Sequence, residues 1–330
     1  MSNTPGIRNF SLRPFRGLSD LPQMLAVAHA SAVADGMVTS TTLDDMAHTY
    51  ASRKGFDPAA DVVIAETDGI MIGFVRGWWL QEVGETFLYL HRGFVAPKWR
   101  RIGVGRSLLQ WVEEHLRTVA AQHDARAEKL FNVFVTEPEV ARGALFEEMG
   151  YHKARYFFSM RHPSLMSAAH FPMPTGIELR PVLPSHHRAI WDADQEVFAS
   201  HWGRARAVEG EFEAWSQSAS FQPQLWQIGW DIAANCVAGQ ARPYIDDSFN
   251  RQTGRLLCYT ENIAVREPWR RRGLAKALVA HSLQALRCAG MLESTLEVDR
   301  RSPTDATNLY QICGFQIQEK NVVYRKQLLT

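Results

Sequence analysis

Apolar residues along this chain fall into two rhythms that take turns. Short continuous or alternating runs such as ETFLYLHRGFV and RLLCYTENIAV predict strands, because side chains on a strand repeat every second residue. Stripes at three-to-four spacing predict helices with one buried face. Val104, Leu108, Val112 and Leu116 form one such stripe; Leu274, Leu278, Val279, Leu283 and Leu286 form another. SLRPF near Ser11 and IELRPV near Ile177 read as opening strands, and NVFVT and TLEVD as later ones. ALFEEMGY and NLYQICGF each read as a helix that ends in glycine and an aromatic residue, the pattern of a helix C-cap turning into a strand. Each half therefore reads strand, helices, strand hairpin, strand, helix, strand, helix, strand, which predicts an α/β fold with a mixed sheet.

The two halves are copies of one design. Val95, Trp99, Arg100, Arg101, Gly103 and Leu108 match Val265, Trp269, Arg270, Arg271, Gly273 and Leu278 at a constant spacing of 170 residues (103 to 273). That period is the size of a domain, far longer than a solenoid repeat. HPSLMSAAHFPMPTG, with three prolines between strand-like segments, reads as the join. The expected domains are 1–165 and 176–330, with 166–175 as linker.

Length agrees, since 330 residues suit two domains of roughly 150 residues each. Lys plus Arg (36) and Asp plus Glu (35) nearly cancel, for a net charge of +1, which argues against a nucleic-acid binder held by a bulk basic field. MSNTPGIRNF lacks the apolar stretch of a signal peptide, and no run approaches the roughly 18 apolar residues of a membrane span. A cytoplasmic protein is expected. Cys236, Cys258, Cys288 and Cys313 lack metal-ligand or redox spacing, so they read as reduced cysteines, and no metal site is expected.

The near-zero charge hides two local clusters, Arg100-Arg101 and Arg270-Arg271-Arg272. Each precedes a glycine-containing turn that opens an amphipathic helix: Gly103-Val104-Gly105 in the first half, Gly273-Leu274-Ala275-Lys276 in the second. Free N–H groups of a first helical turn, small residues and flanking cations together make a phosphate site. A lone G-x-G would be only a tight turn; its recurrence in the same strand–turn–helix setting points to phosphate binding. It is not a Rossmann fingerprint, which needs a further glycine and follows the first strand.

Val-x-x-x-Trp-Arg-x-x-Gly-x-Gly/Ala after a strand, then a strand, then Leu-Tyr-x-x-x-Gly-Phe, resembles the GNAT acyltransferase superfamily. The resemblance spans nearly the whole chain as two copies, a layout similar to tandem acetyltransferases of the mycothiol synthase kind. It implies two tandem GNAT-like domains, each a mixed, mostly antiparallel twisted sheet with helices on both faces and a V-shaped splay between two parallel strands. It further implies acetyl-CoA as co-substrate, its pyrophosphate on the N–H groups from Arg271 to Lys276 and its pantetheine arm along Ile263, Ala264 and Val265, where a β-bulge frees an N–H to polarise the thioester. Val95, Arg100, Arg101, Gly103, Val104 and Gly105 are the counterparts in the first half.

The implied reaction is direct attack of a primary amine, on a small molecule or peptide, upon the thioester. The ammonium must lose a proton and the thiolate gains from receiving one. Tyr310 matches the family tyrosine and is the acid candidate; without the motif it would read as a packing residue. Glu261 and Glu297 are alternative bases, Glu261 preferred; a carboxylate in an apolar strand is unfavourable to bury unless used or paired, and either could instead face solvent. The first half departs at each point: Phe146 aligns with Tyr310, His91 with Glu261 by the constant spacing, and Phe134 with Glu297. His91 could still serve as a base. The second half departs too, with Ser302-Pro303 where the family often has an asparagine. Asp246 and Asp247 in YIDDSFNRQTG read as a hairpin turn that could attract a cation, and His201-Trp202-Gly203 as an acceptor-site segment or a helix end. The expectation is a catalytic second domain and a degenerate first, in a monomer or homodimer without membrane or nucleic-acid partners. A non-catalytic acyl-CoA-binding sensor or interaction protein is the alternative.

Overall fold

The computed structural model describes residues 7–51, 55–82, 85–199, 201–203, 210–302 and 305–329. The chain begins β1 (Phe10–Pro14), α1 (Leu21–Ala34), α2 (Leu43–Thr49), α3 (Pro58–Asp61), β2 (Val62–Thr67), β3 (Ile70–Gln81) and β4 (Phe87–Val95). It continues α4 (Val104–Ala120), β5 (Lys129–Val135), α5 (Val140–Glu148), β6 (His152–His162), β7 (Ile177–Leu179), α6 (His187–Phe198) and α7 (Glu211–Ser216). Then come β8 (Gln227–Asp231), β9 (Cys236–Ala241), β10 (Tyr244–Ile245), α8 (Asp247–Thr253) and β11 (Leu257–Tyr259). The chain closes with β12 (Ala264–Val265), α9 (Leu274–Cys288), β13 (Glu293–Asp299), α10 (Ala306–Ile312) and β14 (Gln316–Gln327). Two compact units result: residues 1–154 with 322–330, and residues 155–321.

In the first unit the strand order is β1-β2-β3-β4-β5-β14, antiparallel throughout except for the parallel pair β4 and β5. Its apolar runs are continuous because both sheet faces are covered. Val63 and Ala65 of β2 pack with Val104, Leu108 and Val112 of α4 on one face, while Val62 and Ile64 pack with Leu21 and Met24 of α1 on the other. Each such fully buried aliphatic side chain contributes about 1.5–3 kcal/mol. The expected α4 stripe is the buried one: Val104, Leu108, Val112 and Leu116 are all essentially inaccessible.

In the second unit β6, β13, β11 and β10 form one ladder, with β13 and β11 parallel and the other neighbours antiparallel. β12, β9, β8 and β7 form the other. Leu274 and Leu278 of α9 pack on Ala238 and Ala241; Ile190 of α6 packs on Ile228 and Trp230.

Packing divides the chain differently from the expected 1–165 and 176–330. Residues 157–162 of β6 pair with β13, from Phe157 opposite Asp299 to His162 opposite Ser294. The end of β14 pairs with β5, from Val322 opposite Val135 to Gln327 opposite Leu130. Each copy presents an edge needing a final antiparallel strand. Duplicated edges are equivalent, so strand patterning does not say which copy supplies it. In the expected linker region, a turn over Leu165–Ser167 buries Leu165 beside Met160 in the second unit's core.

YIDDSFNRQTG is not a hairpin turn. Asp246 caps α8 by accepting from the Phe249 N–H at 2.8 Å, and Gly254, left-handed at φ 66°, ends it. Those are the two ends a short helix requires.

Candidate active site

Both units contain the V. In the first, β4 and β5 pair only from Phe87 opposite Lys129 to Leu90 opposite Asn132, although both strands continue. In the second, β11 and β13 pair from Leu257 opposite Glu293 to Tyr259 opposite Thr295. One further bond, Thr260 N–H to the Thr295 carbonyl at 2.9 Å, marks where they part.

The clefts differ in the register of one strand pair. In the second unit Tyr259 faces Tyr244 and Ala264 faces Gln240, so four residues, 260–263, oppose three, 241–243. This is a β-bulge, with Asn262 in the left-handed region at φ 52°. The Arg242 N–H still reaches the Glu261 carbonyl (3.0 Å) and the Arg266 N–H the Ala238 carbonyl. Alternate N–H groups of an antiparallel strand turn away from the partner, so the Val265 N–H faces the splay. In the first unit Gly77 faces His91 and Gly73 faces Val95, with three residues opposing three and no bulge.

The extra residue also changes which first-unit position corresponds to Glu261. Gly73 and Gly239 are matching positions: an added Cβ on either would sit 2.9 Å from the facing carbonyl, of Phe94 and Ala264 respectively, and 3.2 Å from the matching leucine, Leu108 or Leu278. Counting from that pair through the register, Glu261 corresponds to Arg92, not to His91. His91 is buried, shares a 2.9 Å hydrogen bond with the Tyr151 hydroxyl, and burial holds its pKa down at about 3. It is therefore a neutral core group poorly matched to proton abstraction near pH 7.

The two arginine–glycine turns fold alike. Arg101 and Arg271 both have φ 62°, and Gly103 (97°) and Gly273 (86°) cap α4 and α9 from the left-handed region. Left-handed residues alternating along a turn converge N–H groups into an anion-binding concavity, and the first helical turn adds more. Arg270 braces the turn by donating from Nε to the Val265 carbonyl at 2.9 Å; Arg100 does the same to Val95 at 3.3 Å. Arg100 also grips Asp35 with both terminal nitrogens (2.6 and 2.9 Å) and Ser31 Oγ (2.7 Å), so it bolts the turn to α1. Arg271, Arg272 and Arg101 are exposed. Leu274 and Val104 point into the cores. The Lys276 ammonium lies 5.4 Å from the Phe171 ring centre.

The first unit's cleft encloses about 530 Å³ and is lined by Val95, Arg100, Arg101, Gly103 and Gly105, with Arg106 and Leu145 added from α4 and α5. Those two additions have no strand–turn signature and become legible only once the helices pack.

In the second unit Glu261 is partly buried; removal from water raises its pKa, and repulsion from Glu297 raises it further. Glu297 is exposed on one side but crowded on the others, which raises its pKa against the opposing 3.0 Å hydrogen bond from Asn321 Nδ2. Tyr244 and Tyr259 stack with ring centres 4.7 Å apart. After desolvation, the nearby charges that raise Tyr244 include Glu261, Asp246 and Glu297. Three carboxyl groups thus share one aromatic-walled region. Tyr310 is buried, and burial raises its pKa, so it stays a phenol at neutral pH. Its core cluster includes Val279 and Val298 and is touched by Ile263 of the bulge. In the first unit Phe146 occupies the matching place and the hydroxyl sits instead on Tyr151, opposite Phe315 in the second. Trp202 packs near Phe157, ring centres 6.4 Å apart; Pro303 lies outside the described residues.

Comparison with known proteins agrees with this architecture. Residues 58–153 match the model described as "Acetyltransferase (GNAT) domain", and residues 187–315 the one described as "Acetyltransferase (GNAT) family". Mycothiol acetyltransferase of Salinispora arenicola is 26% identical over 315 residues, covering 93% of each chain; that of Thermobifida fusca is 26% identical, covering 91% of this chain and 93% of its own. A GCN5-related N-acetyltransferase from Sphaerobacter thermophilus superimposes with a TM-score of 0.78 at 23% identity, over 99% of this chain and 98% of that one. A tandem GNAT protein from the clavulanic acid biosynthesis pathway does so with a TM-score of 0.67 at 17% identity, over 97% and 99%. With a splayed parallel pair and an arginine–glycine turn in each unit, the chain belongs to the GNAT superfamily, as a tandem N-acetyltransferase.

Proposed function

We propose that the second unit transfers an acetyl group from acetyl-CoA to a primary amine, and that the first retains a cofactor cleft without turnover. The observation that carries this is the juxtaposition, in the second unit only, of a bulged strand with Glu261, Glu297 and Asp246 around stacked Tyr244 and Tyr259. Such a region favours an ammonium. Glu261, its pKa raised towards neutrality, accepts the ammonium proton directly or through water. The amine nitrogen then bonds the thioester carbon, and the outward-facing Val265 N–H stabilises the developing oxyanion. As the C–S bond breaks, the electron pair leaves on sulfur, Tyr310 supplies its proton, and the second proton shed by the nitrogen restores the phenol. The first unit places Arg92, Phe134 and Phe146 at the matching positions, so neither proton-transfer group has a counterpart there.

Tyr310→Phe is expected to lower kcat about 100-fold, the low end for general acid catalysis because a thiolate leaves readily, with acetyl-CoA affinity preserved. Steady-state assay of free CoA beside calorimetry checks both. Unchanged kcat with the true acceptor removes the acid role. The name of the curated relatives puts their own acceptor first in an amine panel of small molecules and peptides.

A further inference from the structure

The first unit contains a second cavity beside its V-shaped cleft. It encloses about 440 Å³, a size that suits a small metabolite, and the two cavities share His91, Phe94 and Arg142. Position for position it is the counterpart of the carboxylate-rich region in the second unit, but its charge is reversed. Arg92 stands where Glu261 does and Phe134 where Glu297 does.

Three guanidinium groups line it: Arg76, Arg92 and Arg142. Arg76 lies 4.7 Å from the Trp78 ring centre, and Arg92 lies 5.0 Å from that of Phe94. Glu139 pairs with both Arg92 (2.9 Å) and Arg142 (3.0 Å). One carboxylate shared between the Arg92 and Arg142 guanidiniums leaves this wall cationic. Arg92 and Arg142 are only 24% and 14% exposed, so solvent and salt screen them weakly. Among the described residues lining it there is no carboxyl group; His91 bonds Tyr151, and His29 bonds the Thr41 carbonyl.

We propose that this cavity binds a small organic anion with a planar apolar body. Its carboxylate would meet Arg92 and Arg142, whose flat, fork-like donors match carboxylate geometry. Its body would lie against Trp78, Phe94 and Phe134. An ammonium acceptor of the kind the second unit suits is disfavoured here by the same charges. The inference rests on the first unit alone and does not depend on turnover in the second.

Phenylacetate and benzylamine, nearly isosteric but opposite in charge, are the probes, titrated into the full chain by calorimetry with saturation-transfer NMR in parallel. Phenylacetate is expected to bind at low-millimolar concentration or below. Its affinity should fall at least tenfold in Arg92→Gln and in Arg142→Met, and remain unchanged in Glu261→Gln. Because the arginine variants also release Glu139, Phe134→Glu is the second route. It places a carboxylate in the wall without touching the arginine pairs, and it too should weaken phenylacetate at least tenfold. Any benzylamine binding should respond to Glu261→Gln and not to Arg92→Gln. Absence of phenylacetate binding, or equal binding across the wild type and all three first-unit variants, overturns the proposal.

Discussion

At the scale of single residues, Glu261 and Glu297 are the two candidate bases, and pH separates them. Glu261 has its pKa raised by removal from water and then by Glu297. With Glu261 as base, activity rises with pH as that group loses its proton. Glu297→Gln removes the repulsion, so the acidic limb of kcat/KM should move to lower pH while kcat stays within a few-fold. If Glu297 were the base, the same variant would abolish turnover instead of moving the limb. Stability follows the same linkage. A carboxyl with a raised native pKa favours the fold at low pH, and that contribution is lost as pH rises through its native value. Glu261→Gln should therefore raise Tm at pH 8 and leave it nearly unchanged at pH 4, even as it lowers activity.

At the scale of elements, the bulge between β11 and β12 is the feature that the repeat does not share. Asn262 sits at φ 52°, a region that asparagine tolerates and β-branched residues do not. Asn262→Val is expected to destabilise by about 1–2 kcal/mol, and Asn262→Gly to be nearly neutral. Deleting Asn262 would restore three residues opposite three, as in the first unit. Glu261 would keep its place opposite Arg242, as Arg92 does opposite Arg76, so the fold should persist with the carboxylate in the cleft, and the expected fall in turnover would report the backbone geometry of the bulge alone. Melting curves and the CoA-release assay check the series. The sequence showed strands flanking each arginine–glycine turn, because apolar alternation survives a bulge. It could not show the bulge, since one extra residue leaves the composition of RLLCYTENIAV that of any strand. The alignment of His91 with Glu261 failed for that reason.

At the scale of the whole molecule, the final strand links distant parts of the chain. Val323, Tyr324 and Leu328 are each at most 5% exposed in the first unit's core, Lys326 pairs with the buried Glu113 at 2.7 Å, and Arg325 pairs with Glu82. Each of the three apolar side chains contributes about 1.5–3 kcal/mol, comparable in sum to the stability of a domain. Ending the chain after Asn321 should unfold the first unit preferentially, seen as lost hydrogen-exchange protection in β5 and α4 with protection retained in α9. A fragment of residues 1–165, cut at the expected boundary, should not fold stably because it lacks this strand.

The sequence by itself determined the repeat, the α/β architecture of each half, the buried stripes of α4 and α9 and the paired arginine–glycine turns, and it supplied Tyr310, Glu261 and Glu297 as candidates for acid and base. These are local patterns, set by side-chain period and by the backbone needs of a turn. Tertiary structure decided which residues correspond once the bulge intervenes, that Asp246 begins a helix, and which strand completes which unit. It also decided that the matching regions carry opposite charge, anionic around Tyr244 and cationic around Arg92. Those outcomes depend on register and on which side chains face a common space, and neither is written in the spacing along a single chain.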